Sequence, residues 1–136
     1  MMQTLFLSLM TALSTFFAVP TTKSPGIDKQ YIYQHWVISA KESTKTVTVY
    51  RPHHLADAKG IEMRHKHAGM IIKKGGKFRQ LRWRMCGNDT GPSGYDYQWK
   101  WQTQGASQTL LVIKKKATYK VLALSKDMLK VEKLSK

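Results

Sequence analysis

Acidic side chains are scarce in this sequence. Eight Asp and Glu stand against 23 Lys and Arg, a formal charge of +15 over 136 residues with an isoelectric point near 10.1. Acids so few and so widely spaced offer no carboxylate pair for glycoside chemistry. Cysteine is nearly missing: Cys86 alone excludes an internal disulfide framework and a cysteine-based structural zinc site. Arg84 precedes it, yet a lone thiol with no partner of known geometry is more often a small packed residue than a nucleophile. The serines and aspartates form no nucleophile elbow. Helical spacing is also lacking, because no long stretch repeats apolar residues at i, i+3 and i+4. What is present is apolar bulk: 42% hydrophobic residues, with four Trp and six Tyr, support one packed domain and exclude a wholly disordered basic tail.

Between Met1 and Thr22 there is no charged side chain, and Leu5 to Val19 is largely apolar up to Pro20. This reads as a secretory signal peptide over residues 1–22, with an uncleaved anchor as the alternative. Residues 23–32 then read as a linker and 33–136 as the folded domain. Cleavage would leave the whole +15 on the mature chain, so the expected setting is periplasmic or secreted.

The domain reads as short strands and turns. His35–Ala40 and Thr46–Arg51 are strands, the second ended by Pro52 because proline cannot donate to a ladder. Residues 62–73 and 77–85 flank Gly75-Gly76, a hairpin signal because both positions tolerate positive φ. Residues 95–103 and 108–114 flank Gln104–Ser107, and residues 118–124 and 128–134 flank Ser125–Asp127. The expectation is all-β: an eight-stranded antiparallel meander that closes into a barrel and so removes its free edges. Tyr97, Trp99 and Trp101 alternate with Asp96, Gln98, Lys100 and Gln102, and Leu81, Trp83 and Met85 with Gln80, Arg82 and Arg84. Apolar side chains pointing inward and charged ones outward fit a soluble barrel, opposite to the arrangement of an outer-membrane one.

Trp36 in the first strand, Tyr50-Arg51-Pro52 at a strand end, Gly75-Gly76-Lys77-Phe78 at a hairpin, the polar loop Cys86-Gly87-Asn88-Asp89, and an aromatic strand with Trp99 or Trp101 together resemble the small secreted lipocalin-like β-barrels of bacteria. The resemblance covers about Tyr33 to Leu134. It implies an eight-stranded lipocalin-like barrel, often with a cup that takes an apolar ligand, and no catalytic residues.

On this reading Trp36, Trp83, Tyr97, Trp99 and Trp101, with Ile113, line or fill the barrel interior. If it is open, the guest is a small apolar or amphipathic molecule whose anionic head meets Arg79, Arg82 or Arg84 at the mouth. The rival reading is a basic surface module for polyanions such as glycan, lipopolysaccharide or nucleic acid, on a stripe containing Lys73, Lys74, Arg79, Arg82 and Arg84. Residues 97–126 add a second acid-free run, with Lys100, Lys114, Lys115, Lys116, Lys120 and Lys126. Specific nucleic-acid binding is disfavoured, because oligonucleotide-binding barrels have five strands and the aromatics here face away from the cations. His65 and His67 would share one side of a strand, with His53-His54 before them, but Arg64 and Lys66 oppose a cation, so no metal or other cofactor is expected. Asn88-Asp89-Thr90 matches a glycosylation acceptor. The expected role is binding, without catalysis.

Overall fold

The structure, a computed structural model, describes residues 26–86, 89–105 and 108–135, with the backbone alone at 83–86, 89–93 and 135. The signal-peptide stretch, Asn88 of the glycosylation pattern and the Ala106-Ser107 turn positions lie outside the described residues.

Eight strands close into one antiparallel barrel. They are β1 (His35–Ile38), β2 (Val47–Pro52), β3 (Gly69–Lys73), β4 (Lys77–Cys86), β5 (Asp89–Gln104), β6 (Gln108–Ile113), β7 (Ala117–Leu124) and β8 (Leu129–Ser135). From β3 to β8 each strand pairs with the next in sequence, as the turn signals indicate. At the Gly75-Gly76 hairpin both glycines adopt positive φ, 79° and 75°. The chain is nevertheless not a simple meander. The order around the barrel is β1-β2-β8-β7-β6-β5-β4-β3, so β1 sits between β2 and β3. The connection from β2 to β3 must cross it.

That crossover corrects the reading of residues 62–73 as one strand. Met63–Lys66 is a turn of helix, α1, and β3 begins only at Gly69. The amides of His65 and Lys66 both bond the Glu62 carbonyl, and that of His67 bonds the Met63 carbonyl. His65 and His67 therefore do not share a strand face. No β-branched residue in this segment favours extension, and the chain must turn back to enter β3. The crossover covers the outer face of β1, which explains why Trp36 and Val37, on opposite faces of one strand, are both 0% exposed.

Inside, Trp36, Ile72, Leu111, Ile113, Leu124, Leu129 and Val131 are all at most 1% exposed and fill the lumen. Tyr97 and Trp101 pack against this core, while Asp96, Gln98, Lys100 and Gln102 on the opposite face of β5 are exposed, so its alternation holds. In β4 the described side chains do not follow the expected alternation: Phe78 is 2% exposed in the core, so strand parity puts Gln80 and Arg82 on its face and half-buried Leu81 on the other, while the side chains of Trp83, Arg84 and Met85 lie outside the described residues. The expectation rested on residues 80–85, and most of these lie beyond Leu81, where β3 pairing ends and β4 continues with β5 as a two-stranded ribbon. Packing against the barrel wall does not select the parity there.

Part of the stretch read as a linker closes one end of the barrel. Ile27 bridges to Leu124, Lys29–Ile32 forms a 3-10 helix capped by Asp28, and Ile32 is 0% exposed. Its carbonyl accepts the Trp36 indole N–H at 2.9 Å. A buried indole needs such a partner, and this one ties the plug to the core.

Gly69 enters β3 at φ +96°, and a Cβ there would collide with the Trp36 carbonyl oxygen. Gly69→Ala should therefore cost about 2 kcal/mol or more and lower the melting temperature by roughly 10 °C. Gly75→Asn, at another positive φ with nothing within 4 Å of a Cβ, should shift it little in the same thermal melts.

Candidate anion-binding wall

β5 is the axis of the most distinctive surface. Residues Asp89–Gln98 pair with β4, and Trp99–Gln104 pair with β6. At the changeover two turns dock on adjacent residues from opposite sides. The Trp99 amide donates to the Gly76 carbonyl at 2.9 Å, and the Lys114 amide donates to the Gln98 carbonyl at 2.8 Å. The first turn belongs to the β3–β4 hairpin, which carries Lys73, Lys74 and Lys77. The second is the β6–β7 turn, Lys114-Lys115-Lys116, with Lys115 at φ 60°. Two runs distant in sequence thus meet on one strand.

Strand parity adds Arg79 and Lys100 to the same outer wall. Among the described side chains the wall carries one acid, Asp96, whose carboxylate lies 3.9 Å from Arg79. The other ion pairs among the described residues, Arg51–Glu42, Arg64–Glu62 and Lys66–Asp57, lie around β1, β2 and the crossover. Arg51 also donates to the Asp127 carbonyl at 3.1 Å, and its grip on Glu42 through two nitrogens pulls the Glu42 carboxyl down to about 2. Acids neutralise cations on that side and leave the β4–β7 side in excess.

The wall is also grooved. A cleft of about 570 Å³ runs from Gln98 and Lys100 to Val112 and Lys114–Thr118, with Ile113 and Ala117 behind it. A second, of about 500 Å³, lies between Asp96–Gln98 and Lys114-Lys115. A third, of about 390 Å³, is bounded by Lys73, Lys77, Arg79 and Asp96. Three lysines lie over aromatic rings that pack on or beside the inward face. Lys116 Nζ lies 4.9 Å from the Tyr97 ring centroid, Lys74 Nζ 5.6 Å from Tyr33 and Lys29 Nζ 5.3 Å from Trp101. Trp99 donates its indole N–H to the Lys73 carbonyl at 3.0 Å, fixing the first turn from within.

Four of the five residues expected to line or fill the interior belong to the core or pack against it. Trp36 and Trp99 are core, Tyr97 and Trp101 are half-buried against it, and Trp83 belongs by register to the ribbon, paired with Pro92. Of the expected anion ligands, Lys73, Lys74 and Arg79 lie on or beside the wall. Arg82 turns to the other face, 5.9 Å from the Tyr95 ring, and the Arg84 side chain lies outside the described residues. Lys100 and Lys114–Lys116 were visible only as part of an acid-free run. Their meeting with the Gly75-Gly76 hairpin depends on the changeover in β5, which no local pattern signals. Cys86 ends β4, its side chain also outside those described. Among the described residues no group of three or more His, Cys, Asp or Glu could hold a metal ion.

No protein-family model matches the chain, and neither a characterised protein nor a solved structure shows significant similarity to it.

On the opposite side, His35 of β1 stacks on His53 of the crossover with ring centroids 4.6 Å apart and planes within 8°, and its Nε2 lies 3.0 Å from the Ala68 carbonyl oxygen. Burial, reinforced by the positive fields of His35, Lys66 and His67 and opposed by Asp57, lowers the His53 pKa from 6.5. The unfolded chain then binds the His53 proton more readily, so this contribution is present above about pH 6.5 and is lost as pH falls through the lower folded value. Melting temperature should drop from pH 7.5 to pH 5.5, and His53→Gln should flatten that part of the profile.

Proposed function

We propose that this protein is an exported binding protein of lipocalin-like barrel type, without catalytic function, that holds an anionic polymer on the outer wall formed by β4 to β7. The observation that carries the reading is the docking of two lysine-bearing turns on adjacent residues of β5, Gln98 and Trp99. A linear polyanion laid over this changeover meets Lys73, Lys74 and Lys77 on one side and Lys114, Lys115 and Lys116 on the other. Binding releases counterions, and affinity is then steeply salt-dependent. The charge-free apolar N-terminus supports export. Strand number and closure support the lipocalin-like assignment, while the place of β1 between β2 and β3 departs from up-and-down order.

One observation favours a second reading, a small amphipathic ligand with an anionic head. The largest cleft on the wall has an apolar back, at Val112, Ile113 and Ala117, beneath Lys114 and Lys116. A ligand seated there would keep an apolar contribution that salt does not screen.

Heparin affinity measured across salt concentrations separates the two. The polymer reading expects a log–log slope of about −4 to −6. Lys114→Gln/Lys115→Gln should reduce its magnitude by about 2, whereas Lys41→Gln/Lys45→Gln on the β1–β2 turn, the same change in charge, should leave it nearly unaltered. A flat salt profile, or equal loss in both double variants, rejects the wall as a polyanion site. Saturable binding of an anionic dye that survives high salt supports the amphiphile.

A further inference from the structure

The closed barrel contains an open length of strand. Trp99 bonds Gly76 on the β4 side, and residues alternate sides along a strand. The backbone groups of Tyr97 and Tyr95 therefore face β4, whereas those of Gln98, Asp96 and Gly94 face the side where β6 lies farther along. Gln98 accepts from Lys114 there, after which the β6–β7 turn leads away. Pro92 falls on the same outward-pointing phase, where its missing N–H costs no ladder bond. Among the described residues no hydrogen bond reaches the open-side N–H and C=O groups of Gly94 and Asp96. The cleft of about 500 Å³ between Asp96–Gln98 and Lys114-Lys115 opens on this edge.

We infer that the edge of β5 from Pro92 to Asp96 accepts an added β-strand from an acidic, extended segment of a partner polypeptide. The inference rests on the anion-binding reading of the wall and narrows its ligand class. Backbone pairing supplies the fit, and charge selects the occupant. An added residue opposite Gly94 lies beside the Arg79 guanidinium, which reaches across Gly94 where a Cβ would stand. Toward Gln98 the same face of the added strand meets Lys114 and Lys115. Asp96 adds one acid to this face but already has Arg79 at 3.9 Å. The other face of the added strand lies alongside Tyr95, 47% exposed, and Tyr97, so apolar residues suit that phase. The segment recognised is thus one in which acidic and apolar residues alternate. A second copy of this chain is a poor occupant, since each carries +15 and no two of its acids stand within four residues of one another.

The test uses the isotopically labelled folded protein and three probes: an acetylated peptide of about eight alternating Glu and Val residues, the same peptide N-methylated at every second residue in either phase, and a heparin fragment. Amide hydrogen exchange at Gly94 and Asp96 is the readout. The unmodified peptide should slow both amides by about tenfold or more, one N-methylated phase should lose at least about tenfold in affinity, and heparin should bind without protecting either amide. Peptide binding that is indifferent to N-methylation and leaves both amides unprotected overturns strand addition while leaving the polyanion wall intact. Failure of both peptide and heparin to bind overturns both readings. Protection that rises with protein concentration alone assigns the edge to a second copy and overturns the proposal.

Discussion

The architecture depends on how one strand divides its hydrogen bonds. β5 pairs with β4 along its first part and with β6 along its second, so the two neighbours occupy successive lengths of it. Such a stagger is the shear a barrel of this size needs to close. It has a local consequence at Gln98 and Trp99, where the ends of both neighbours arrive together. Each of those ends is a tight turn, and each turn carries lysines. Like charges brought this close repel, and the cost is tolerable because the groups stay in water and several lie against aromatic faces. The basic surface is thus a by-product of closure at a position the chain has filled with cations.

Charge is segregated by the same geometry. Acids pair with Arg51, Arg64 and Lys66 on the side of β1, β2 and the crossover, where packing on the outer face of β1 favours neutral, interlocked surface. Among the described side chains of β4 to β7, Asp96 is the one acid against the cations. A net charge of +15 is therefore less informative than its distribution. One half of the surface is ordinary, and the other is strongly positive and cleft.

Much of the fold was legible because its determinants are local. Gly75-Gly76 marks a turn that needs positive φ at both residues, and Tyr97, Trp99 and Trp101 alternate with polar neighbours over a length that is packed on one face only. What was hidden depends on contacts distant in sequence. A closed meander puts β1 between β2 and the last strand, because nothing in His35–Ile38 reports that β3 pairs along its other side. The parity of β4 is set by Phe78 in the core, and alternation among residues 80–85, most of them in a ribbon beyond β3, carries no information about it. Ile27 to Ile32 looked like a linker, since a short plug has no period of its own. For the binding wall, the cations were legible as acid-free runs, but the convergence of Lys73–Lys77 with Lys114–Lys116 required the register of β5.

The position of β8 bears on how the chain reaches this state. Closure is made by β2 and β8, with Val47 opposite Glu132 and Tyr50 opposite Leu129, so the second strand waits for the last. Until then β2 can bond only to β1 and stands as the edge of the partial sheet β2-β1-β3-β4. The hairpins from β3 onward can form early from near neighbours, whereas β2 gains its second partner only when nearly the whole chain is present. Such topology has high contact order and folds slowly. An unfinished chain would expose the free side of β2, whose Val47, Val49 and Tyr50 favour pairing with any other strand within reach.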